Sequence, residues 1–496
     1  MSGTAARLTR VPTYLEGFDV IAGGGLPEGR LTLVAGTAGS GKTIFATQFL
    51  VEGVRQAGEN VVFVTFEEPT ADLRQNMLGF GWDIASWERE GRWTFVDGSQ
   101  VAGEDGSVVG SYDLGGLLAR IELAITKMKA RRVVLDSFSA VLNQFPDLGT
   151  VRSELFRIAS RLKALGTTAL VTAERASDYG DLSRSGVEEF VADNVIVLRN
   201  VLEDEKRRRT VEVLKLRGAG HLRGEFPATI LPEVGMIVVP LGVTELNNQR
   251  SSNVRVTSGV RVLDEMAGGG FYRDSVTLVS GATGSGKTLL VSEFLKGGVE
   301  HGERALLLAF EESRQQLARN AIGWGIDLEA MERSGKLKIV CQYPERTGPE
   351  EHLVQIKKAV DEFRPDRLVI DSLSAIERVT GGKSFREFVL GLTSYVKDRD
   401  IAGLFTTTTE RLLGGTSITD SHISTVTDAI ILLRYFERRG TIQRGITILK
   451  MRGSDHDKSI RAFTIDNHGM QIGEPLHDVT GILTGLPIED ALQQGS

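Results

Sequence analysis

Two glycine-rich segments that end in lysine and threonine carry the clearest chemistry in this 496-residue sequence. Both fit the pattern GxxxxGK[ST], and each lies between an apolar strand-like run and a helical one, the context that this motif requires. Glycines let backbone N–H groups converge on phosphate oxygens, the lysine adds positive charge and the threonine offers a hydroxyl to Mg²⁺. The pattern therefore predicts two sites for the phosphates of ATP. Their residues are Gly36, Thr37, Ala38, Gly39, Ser40, Gly41, Lys42 and Thr43, and Gly281, Ala282, Thr283, Gly284, Ser285, Gly286, Lys287 and Thr288.

An aspartate ends an apolar run well downstream of each lysine, at Asp136 and Asp371. A bare charge after a run buried on both sides needs a reason, and we expect these carboxylates to face Mg²⁺ through water, beside Thr43 and Thr288. Glu312 is a further candidate for the metal site. The alternative is that each Asp-Ser pair forms a helix N-cap.

A pair of glutamates follows the second strand-like run of each copy, at Glu67–Glu68 and at Glu311–Glu312. A carboxylate at the carboxyl edge of a strand can orient or deprotonate an attacking hydroxyl group. Two adjacent acids suggest that one faces the nucleophile and the other supports it. The alternative is a pair that only complements the dipole of a helix N-terminus.

Two cations lie two residues apart near the end of the last predicted strand of each copy: Lys215 with Arg217, and Lys450 with Arg452. That spacing places both side chains on one side of a strand. On an edge strand they cannot easily reach their own phosphate loop. We therefore expect them to contact the γ-phosphate of ATP bound to a neighbouring subunit in a ring. The alternative is a solvated edge that resists aggregation.

All these motifs occur twice in the same order, as a duplicated unit would give. GTAGSGKT recurs as GATGSGKT, FEE (66–68) as FEE (310–312), LDS as IDS, and LKLRG (214–218) as LKMRG (449–453). We therefore predict an N-terminal domain at 1–243, a polar linker at 244–256, a C-terminal domain at 257–470 and a loop and tail at 471–496.

Within each copy, short apolar runs alternate with helical stretches, which indicates a mostly parallel sheet covered by helices on both faces. The predicted fold class is α/β, with two tandem P-loop NTPase domains that each end in a hairpin. The predicted strands are 31–36, 61–66, 131–136, 168–173 and 194–199, and then 276–281, 305–310, 367–371, 404–408 and 429–434.

Composition excludes several classes of protein. The formal net charge of −7 argues against a strongly basic coat for nucleic acid, and the single cysteine excludes an intrachain disulfide framework. No stretch approaches the eighteen apolar residues of a membrane helix, and residues 1–10 lack the apolar core of a signal peptide. We expect a cytoplasmic protein with no membrane partner.

The sequence as a whole resembles the KaiC family of circadian clock ATPases and autokinases. The likeness rests on the tandem phosphate loops, the FEE pairs and the phrases GVEEFVADNVIVLRNVLE (186–203), SITDSHISTVTDAIILL (417–433) and KMRGSDHDK (450–458). It implies two stacked hexameric rings of RecA-like domains, of which the first hydrolyses ATP slowly. The second phosphorylates a neighbouring subunit and later removes those phosphates.

Carried over by this resemblance, the phosphoacceptors are Ser424 and Thr425, with Thr419 as a nearby third hydroxyl. The pair Glu311–Glu312 becomes the base for phosphoryl transfer, and Glu67–Glu68 the pair that activates water. Arg378 matches an arginine near the phosphorylated threonine in the family. With the copies aligned on Asp136 and Asp371, an offset of 235 residues, Ser424 and Thr425 fall opposite Glu189 and Phe190, so only the second copy has these hydroxyls.

The resemblance also bears on partners. It implies binding of a KaiB-like protein to the first domain. The tail at 473–496 diverges from that of the best-known members, so dependence on a KaiA-like activator is not carried over.

Two other functions compete with this interpretation. A RecA- or DnaB-like DNA motor shares the fold class but needs basic loops, whereas the one dense basic run, EKRRRT (205–210), follows the acidic EDE (203–205), so nucleic acid is not an expected partner. A nucleotide-stabilised scaffold without turnover conflicts with the lysine, aspartate and glutamates retained in both copies.

Overall fold

The computed structural model describes residues 8–98, 114–137, 148–180, 191–203, 206–240, 251–409, 423–438, 440–477, 479–480 and 488–489. The chain divides into two compact units, Met1–Pro240 and Leu241–Ser496. Each unit contains one large mixed sheet.

The first unit is built around a nine-stranded sheet in the order β5-β4-β6-β7-β3-β8-β9-β10-β11. The six strands from β5 to β8 pair in parallel, and β9, β10 and β11 continue the sheet antiparallel. The strands are β1 (Arg10–Val11), β2 (Leu26–Pro27), β3 (Leu31–Gly36), β4 (Val61–Thr65), β5 (Trp93–Asp97), β6 (Arg132–Asp136), β7 (Thr168–Glu174), β8 (Asn194–Glu203), β9 (Lys206–Leu216), β10 (Glu225–Leu231) and β11 (Gly235–Val238).

Helices connect the parallel strands of the first unit. They are α1 (Phe18–Ile21), α2 (Lys42–Ala57), α3 (Thr70–Leu78), α4 (Ile84–Arg89), α5 (Leu114–Met128) and α6 (Leu148–Ala164). Leu155, Ile158 and Leu162 recur at helical spacing on α6 and are buried against the sheet with β6 and β7. This burial of one face explains why α6 forms there.

The second unit repeats the architecture with the strand order β16-β15-β17-β18-β14-β19-β20-β21-β22. Its strands are β12 (Arg255–Val256), β13 (Phe271–Tyr272), β14 (Val276–Gly281), β15 (Ala305–Ala309), β16 (Leu337–Cys341), β17 (Arg367–Asp371), β18 (Ala402–Thr408), β19 (Ala429–Arg438), β20 (Thr441–Met451), β21 (Arg461–Asp466), β22 (Gly469–Pro475), β23 (Val479–Thr480) and β24 (Ile488–Glu489).

The helices of the second unit follow the same plan. They are α7 (Arg261–Met266), α8 (Lys287–Glu300), α9 (Arg314–Gly323), α10 (Leu328–Arg333), a 3₁₀ turn (Pro344–Arg346), α11 (Pro349–Phe363), α12 (Leu373–Arg378), α13 (Gly382–Asp398) and α14 (Ile423–Val426). α9 begins with a capping box in which Ser313 and Gln316 satisfy each other's backbone N–H groups. None of the helices among the described residues is both long and apolar enough to span a membrane.

The parallel sheets covered by helices confirm the predicted fold class, but the separate expectation that the cation-bearing strands lie at the sheet edges was wrong. The strands that carry Lys215 and Lys450 are not edge strands, because β10–β11 and β21–β22 extend each sheet beyond the predicted hairpin. Sequence patterning missed these strands because one face of each is polar and their apolar runs are short. Strand β5 was missed as well.

A buried arginine ties the start of the aspartate strand to the helix that follows the phosphate loop in each unit. Arg132 and Arg367 are both 1% exposed. Arg367 donates to Glu303 at 2.5 Å and to the carbonyls of Thr257 and Phe294 at 2.7 Å. Burial lowers the pKa of the Arg367 guanidinium, and Glu303 opposes that shift. Arg367 thus fixes the position of strand β17 relative to helix α8.

We expect Arg367→Met to destabilise the second unit by about 3 kcal/mol, because it leaves the Glu303 carboxylate and two carbonyls without their donor. For a unit of this size, that loss corresponds to a fall in melting temperature of roughly 6–12 °C by calorimetry. The matched control is Arg261→Met, which removes an exposed ion pair with Glu265. The control should change stability by less than about 0.5 kcal/mol. Equal effects of the two substitutions would contradict the assigned role of Arg367.

Candidate nucleotide sites

Each phosphate loop joins the central strand of its sheet to a long helix, β3 to α2 and β14 to α8. Gly36 has no room for a side chain, because a Cβ there would lie 2.7 Å from the carbonyl oxygen of Leu198. Gly281 faces Leu433 in the same way at 2.8 Å. Gly41 and Gly286, with φ of 96° and 106°, cap the helices in the left-handed conformation. The backbone N–H groups are therefore exposed at a helix N-terminus, where phosphate binds.

The loop lysines lie folded over their own loops. Lys42 Nζ donates to the Thr37 carbonyl at 2.9 Å, and Lys287 Nζ donates to the carbonyls of Gly281 and Ala282 at 2.8 and 3.0 Å. Burial lowers the pKa of both ammonium groups, and nearby carboxylates oppose this shift. In the first unit, a cleft of about 480 Å³ lined by Lys42, Thr43 and Arg209 adjoins the loop.

The strand-end aspartates are almost fully buried and are held by threonines. Asp136 accepts hydrogen bonds from Thr172 and Thr43. Asp371 accepts from Thr406, and from Thr288 Oγ1 at 3.0 Å. Burial raises the pKa of each carboxyl, while these hydrogen bonds and the loop lysine lower it.

The geometry in the second unit argues against the alternative role of the aspartate as a helix cap. Helix α12 has Ser372 at its N-cap position, without a side-chain capping bond, and the Asp371 carboxylate contacts threonines instead. A hydroxyl and a carboxylate in contact form the hard oxygen set that Mg²⁺ takes in nucleotide sites, where phosphates and water complete the shell. The residues present fit that ion.

The two glutamates of each pair have different surroundings. Ser137 donates to Glu67 at 3.4 Å, and Arg378 to Glu311 at 2.9 Å, so the first member faces the chain that follows the aspartate strand. The second member faces the next helix, since Asn76 donates to Glu68 and Asn320 donates to Glu312.

Burial also raises the pKa of several of these glutamates. It is the main cause for Glu67, Glu68 and Glu312, and the charge of the neighbouring strand-end aspartate adds to it. A carboxylate whose pKa is raised towards neutrality is a better proton acceptor for a hydroxyl or water.

Sequence reasoning missed one carboxylate of the first site, Glu174. It is the last residue of β7 and pairs with Gly36, the first residue of the phosphate loop. Its charge acts on Lys42 and on Glu67. The second unit has Thr408 at that register, opposite Gly281. The one signal in the sequence was that Glu174 lies at the end of a predicted strand, as the other carboxylates of the site do.

The four cations near the ends of β9 and β20 bind oxygens of their own unit. Lys215 donates to the Ala192 carbonyl at 2.8 Å, and Arg217 lies 3.6 Å from the Asp193 carboxylate. Lys450 and Arg452 likewise bind backbone carbonyls, those of residues 424, 425 and 427. Both arginines are more than half exposed.

The two predicted acceptors lie on the short helix α14, with Ser424 half-buried and Thr425 exposed. Lys450 and Arg452 contact the backbone of this helix. Thr419 lies outside the described residues, as do Glu189 and Phe190.

Two phosphate loops, each at the end of a central parallel strand and beside a strand-end aspartate and glutamates, define this protein as a tandem RecA-like P-loop ATPase. A family model described as "ATPase: KaiC" matches residues 11–242 and again 256–477. The chain belongs to the KaiC family of ATPases.

Relatives of the chain cover nearly its whole length. It is 60% identical to the circadian clock protein KaiC3 of Synechocystis sp., over 98% of this chain and 95% of that protein. It is 53% identical to the circadian clock oscillator protein KaiC of Thermosynechococcus vestitus, over 98% and 93%. It is 52% identical to the KaiC of Synechococcus elongatus, over 99% and 94%. The chain is therefore a KaiC-like enzyme, and the DNA motor is not favoured.

We expect Asp371→Asn to reduce the Mg²⁺-dependent part of ATP affinity in the second unit by at least about tenfold, because a neutral amide is a poor partner for a divalent cation. Since the substitution also removes a buried charge, the nucleotide-free protein should melt at the same or a higher temperature. The measurement is fluorescent ATP-analogue binding with and without Mg²⁺, alongside thermal melts. Asp136→Asn is the mirror control and should act on the first site. Unchanged Mg²⁺ dependence in Asp371→Asn would exclude the metal role.

Proposed function

We propose that the first unit hydrolyses ATP slowly. The second transfers the γ-phosphoryl group of ATP to Ser424 and Thr425 of a neighbouring subunit and later removes it, so that the protein serves as a circadian or timer-like signalling core. One observation carries the proposal. Both units contain a complete phosphate loop, a buried aspartate and a glutamate pair. In the sequence alignment of the two copies, however, Ser424 and Thr425 correspond to Glu189 and Phe190, so only the second copy has these hydroxyls. Relatives named as circadian clock proteins support it.

ATP is the substrate in both units, and the loop residues 36–43 and 281–288 bind its phosphates. Mg²⁺ is the implied cofactor, which Thr43 and Asp136, or Thr288 and Asp371 with Glu312 nearby, would hold. When bound, the ion neutralises charge on the phosphates. Lys42 and Lys287 exchange their loop carbonyls for phosphate oxygens.

The transfer in the second unit is a displacement at phosphorus. The acceptor oxygen bonds to the γ-phosphorus, the bond from that phosphorus to the β–γ bridging oxygen breaks, and ADP leaves with that electron pair. The Glu311–Glu312 pair takes the proton of the acceptor hydroxyl. In the first unit, water replaces the hydroxyl, and Glu67 with Glu68 takes its proton. Removal of the phosphates is a second displacement at phosphorus. An oxygen of ADP or water attacks the phosphorus carried by Ser424 or Thr425, the bond from that phosphorus to the side-chain oxygen breaks, and the side-chain oxygen takes the proton held by the Glu311–Glu312 pair.

The proposed working unit is a homohexamer with two rings of domains. The four cations Lys215, Arg217, Lys450 and Arg452 lie near the ends of β9 and β20. The exposure of the two arginines supports contacts to the nucleotide of a neighbouring subunit. A KaiB-like protein is the partner we propose for the first domain. We do not propose dependence on a KaiA-like activator, because the tail at 473–496 diverges from that of the best-known family members. A cytoplasmic location without a membrane partner completes the proposal.

The proposed domains are 1–243 for hydrolysis and 257–470 for phosphoryl transfer, with 244–256 as the linker. The basic run that a DNA motor would need is engaged within its own sheet. Arg207 donates to the Asn200 carbonyl, Arg208 pairs with Glu203 and Arg209 donates to the Gly39 carbonyl. These contacts favour a structural role for the run, and nucleic acid is not a proposed partner.

Incubation of the purified protein with Mg²⁺-ATP should add one and then two phosphates, mapped to Ser424 and Thr425 by mass spectrometry. Lys287→Ala should abolish both additions, because it removes the cation that neutralises the transferred phosphate. Lys42→Ala, the same change in the first unit, should lower ATP turnover instead. An unmodified mass in the wild-type protein with continuing ATP turnover would overturn the autokinase assignment.

Transfer between subunits can be tested by mixing two variants that differ in mass. One carries Lys287→Ala with intact acceptors, and the other carries Ser424→Ala with Thr425→Ala and an intact ATP site. After subunit exchange, phosphate should appear on the Lys287→Ala chains, because their neighbours supply the γ-phosphoryl group. Each variant alone is the control and should stay unmodified. Absence of phosphate in the mixture, with exchange verified by native mass spectrometry, would indicate transfer within one chain.

A further inference from the structure

The helix that presents the acceptors cannot fix its own position. α14 has only 4 residues, Ile423–Val426, and a single helical turn is unstable in water because nucleation costs more than one turn returns. Its terminal carbonyls lack partners within the helix and need donors from elsewhere. The placement of the Ser424 and Thr425 hydroxyls therefore depends on groups outside α14.

Lys450 on strand β20 and Arg452, which follows the strand, supply those donors. Lys450 Nζ donates to the carbonyl oxygens of Ser424 and Thr427, both at 2.7 Å. Arg452 donates to the carbonyl oxygen of Thr425 at 2.8 Å. The backbone of each acceptor residue is thus held by one of the two cations.

One aspartate connects Arg452 to the strand that leads into the phosphate loop. The Asp428 carboxylate accepts from the Val276 N–H and from Lys397 Nζ, at 2.9 and 2.8 Å, and lies 3.9 Å from Arg452. The backbone of Asp428 donates to the Val276 carbonyl and accepts from the Arg452 N–H, both at 2.9 Å. Val276 is the first residue of β14, which ends at the phosphate loop.

Asp428 is also the counter-charge for a cluster of cations. Burial lowers the pKa of the Lys450 ammonium, the charges of Arg452 and Lys397 lower it further, and Asp428 opposes them. The first unit has the same device, since Asp193 lies 3.2 Å from Arg30 and 3.6 Å from Arg217, and the Arg217 N–H donates to the Asp193 carbonyl. The arrangement is therefore a feature of the repeated fold.

We propose that Asp428 is a positioning residue for phosphoryl transfer: it holds Arg452 against the backbone of α14 and so places the Ser424 and Thr425 hydroxyls relative to the sheet of their own unit. This inference rests on the proposed autokinase function. Neutralising Asp428 leaves Lys397, Lys450 and Arg452 as mutually repelling cations, which weakens the hold of Arg452 on α14. ATP binding should be affected little, because Asp428 does not contact the phosphate loop within the described part of the chain, and the substitution leaves in place the charges of Lys450 and Arg452, the proposed contacts to a neighbour's nucleotide.

The test compares Asp428→Asn with Asp274→Asn in the full-length protein. Asp274 lines the same surface cleft, where its carboxylate accepts from the Ser252 N–H and contacts neither Lys450 nor Arg452 among the described residues. We expect Asp428→Asn to lower the initial rate of phosphorylation at both acceptors at least about tenfold, with the KM for ATP within about twofold. Asp274→Asn should match the wild type in both quantities.

A rescue distinguishes positioning from general loss of structure. Adding Lys397→Met to Asp428→Asn removes one of the excess cations and should restore several-fold of the lost rate. A rate within about twofold of wild type in Asp428→Asn would overturn the proposal. Loss of rate with a raised KM for ATP and no rescue would overturn it too, because the residue would then serve the nucleotide site or the fold.

Hydrogen exchange keeps this test separate from the proposed function. Amide protection in 423–427, followed by mass spectrometry, should fall in Asp428→Asn and stay unchanged in Asp274→Asn, whether or not phosphate is transferred. If the wild type does not phosphorylate itself but protection falls as expected, the autokinase assignment fails while the positioning of α14 stands. Unchanged protection in Asp428→Asn would exclude positioning even if phosphorylation is lost.

Discussion

A charge buried at the end of a strand is the constraint on which both nucleotide sites depend. Asp136 and Asp371 end strands that are covered on both faces, and each is 8% exposed. Threonines from two other elements, the phosphate-loop helix and the adjacent strand, donate to each carboxylate. An ionised carboxylate in such surroundings is costly unless it is hydrogen-bonded or bound to a cation. The loop, the aspartate strand and its neighbour must therefore keep their relative positions for the carboxylate to keep these hydrogen bonds.

The duplication preserves this constraint and changes what surrounds it. The two sheets have the same strand order, and Arg132 and Arg367 make equivalent contacts to a glutamate and to carbonyls. At the strand next to the phosphate loop, however, the first unit has Glu174 and the second has Thr408. One fold thus holds two different electrostatic surroundings for the same phosphate group, as expected where one site acts on water and the other on a protein hydroxyl.

The phosphate-loop helix shows a second such difference. In the first unit, Gln48 donates to the carbonyls of Val234 and Met236 and accepts from the Met236 N–H, which fastens α2 to the β10–β11 turn. In the second unit, Glu293 accepts from the Met470 N–H, and burial raises its pKa. A carboxylate can accept but cannot donate as the amide does. The helix is therefore attached to the terminal hairpin by different sets of hydrogen bonds in the two units.

The sequence by itself determined the local chemistry and the fold class. The phosphate loops, Asp136 and Asp371, the glutamate pairs and the parallel strands were all predictable, because glycine conformation, strand-end charges and apolar runs are local signals repeated twice. Tertiary structure decided what depends on neighbours distant in sequence. It placed β9 and β20 inside their sheets, because β10 and β21 pair with these strands, which the sequence pattern had assigned to the sheet edges. It brought Glu174 beside Gly36, and it brought Lys450 and Arg452 into contact with the backbone of residues 424, 425 and 427. None of these contacts follows from residue type, because each is set by strand order and register in the folded sheet.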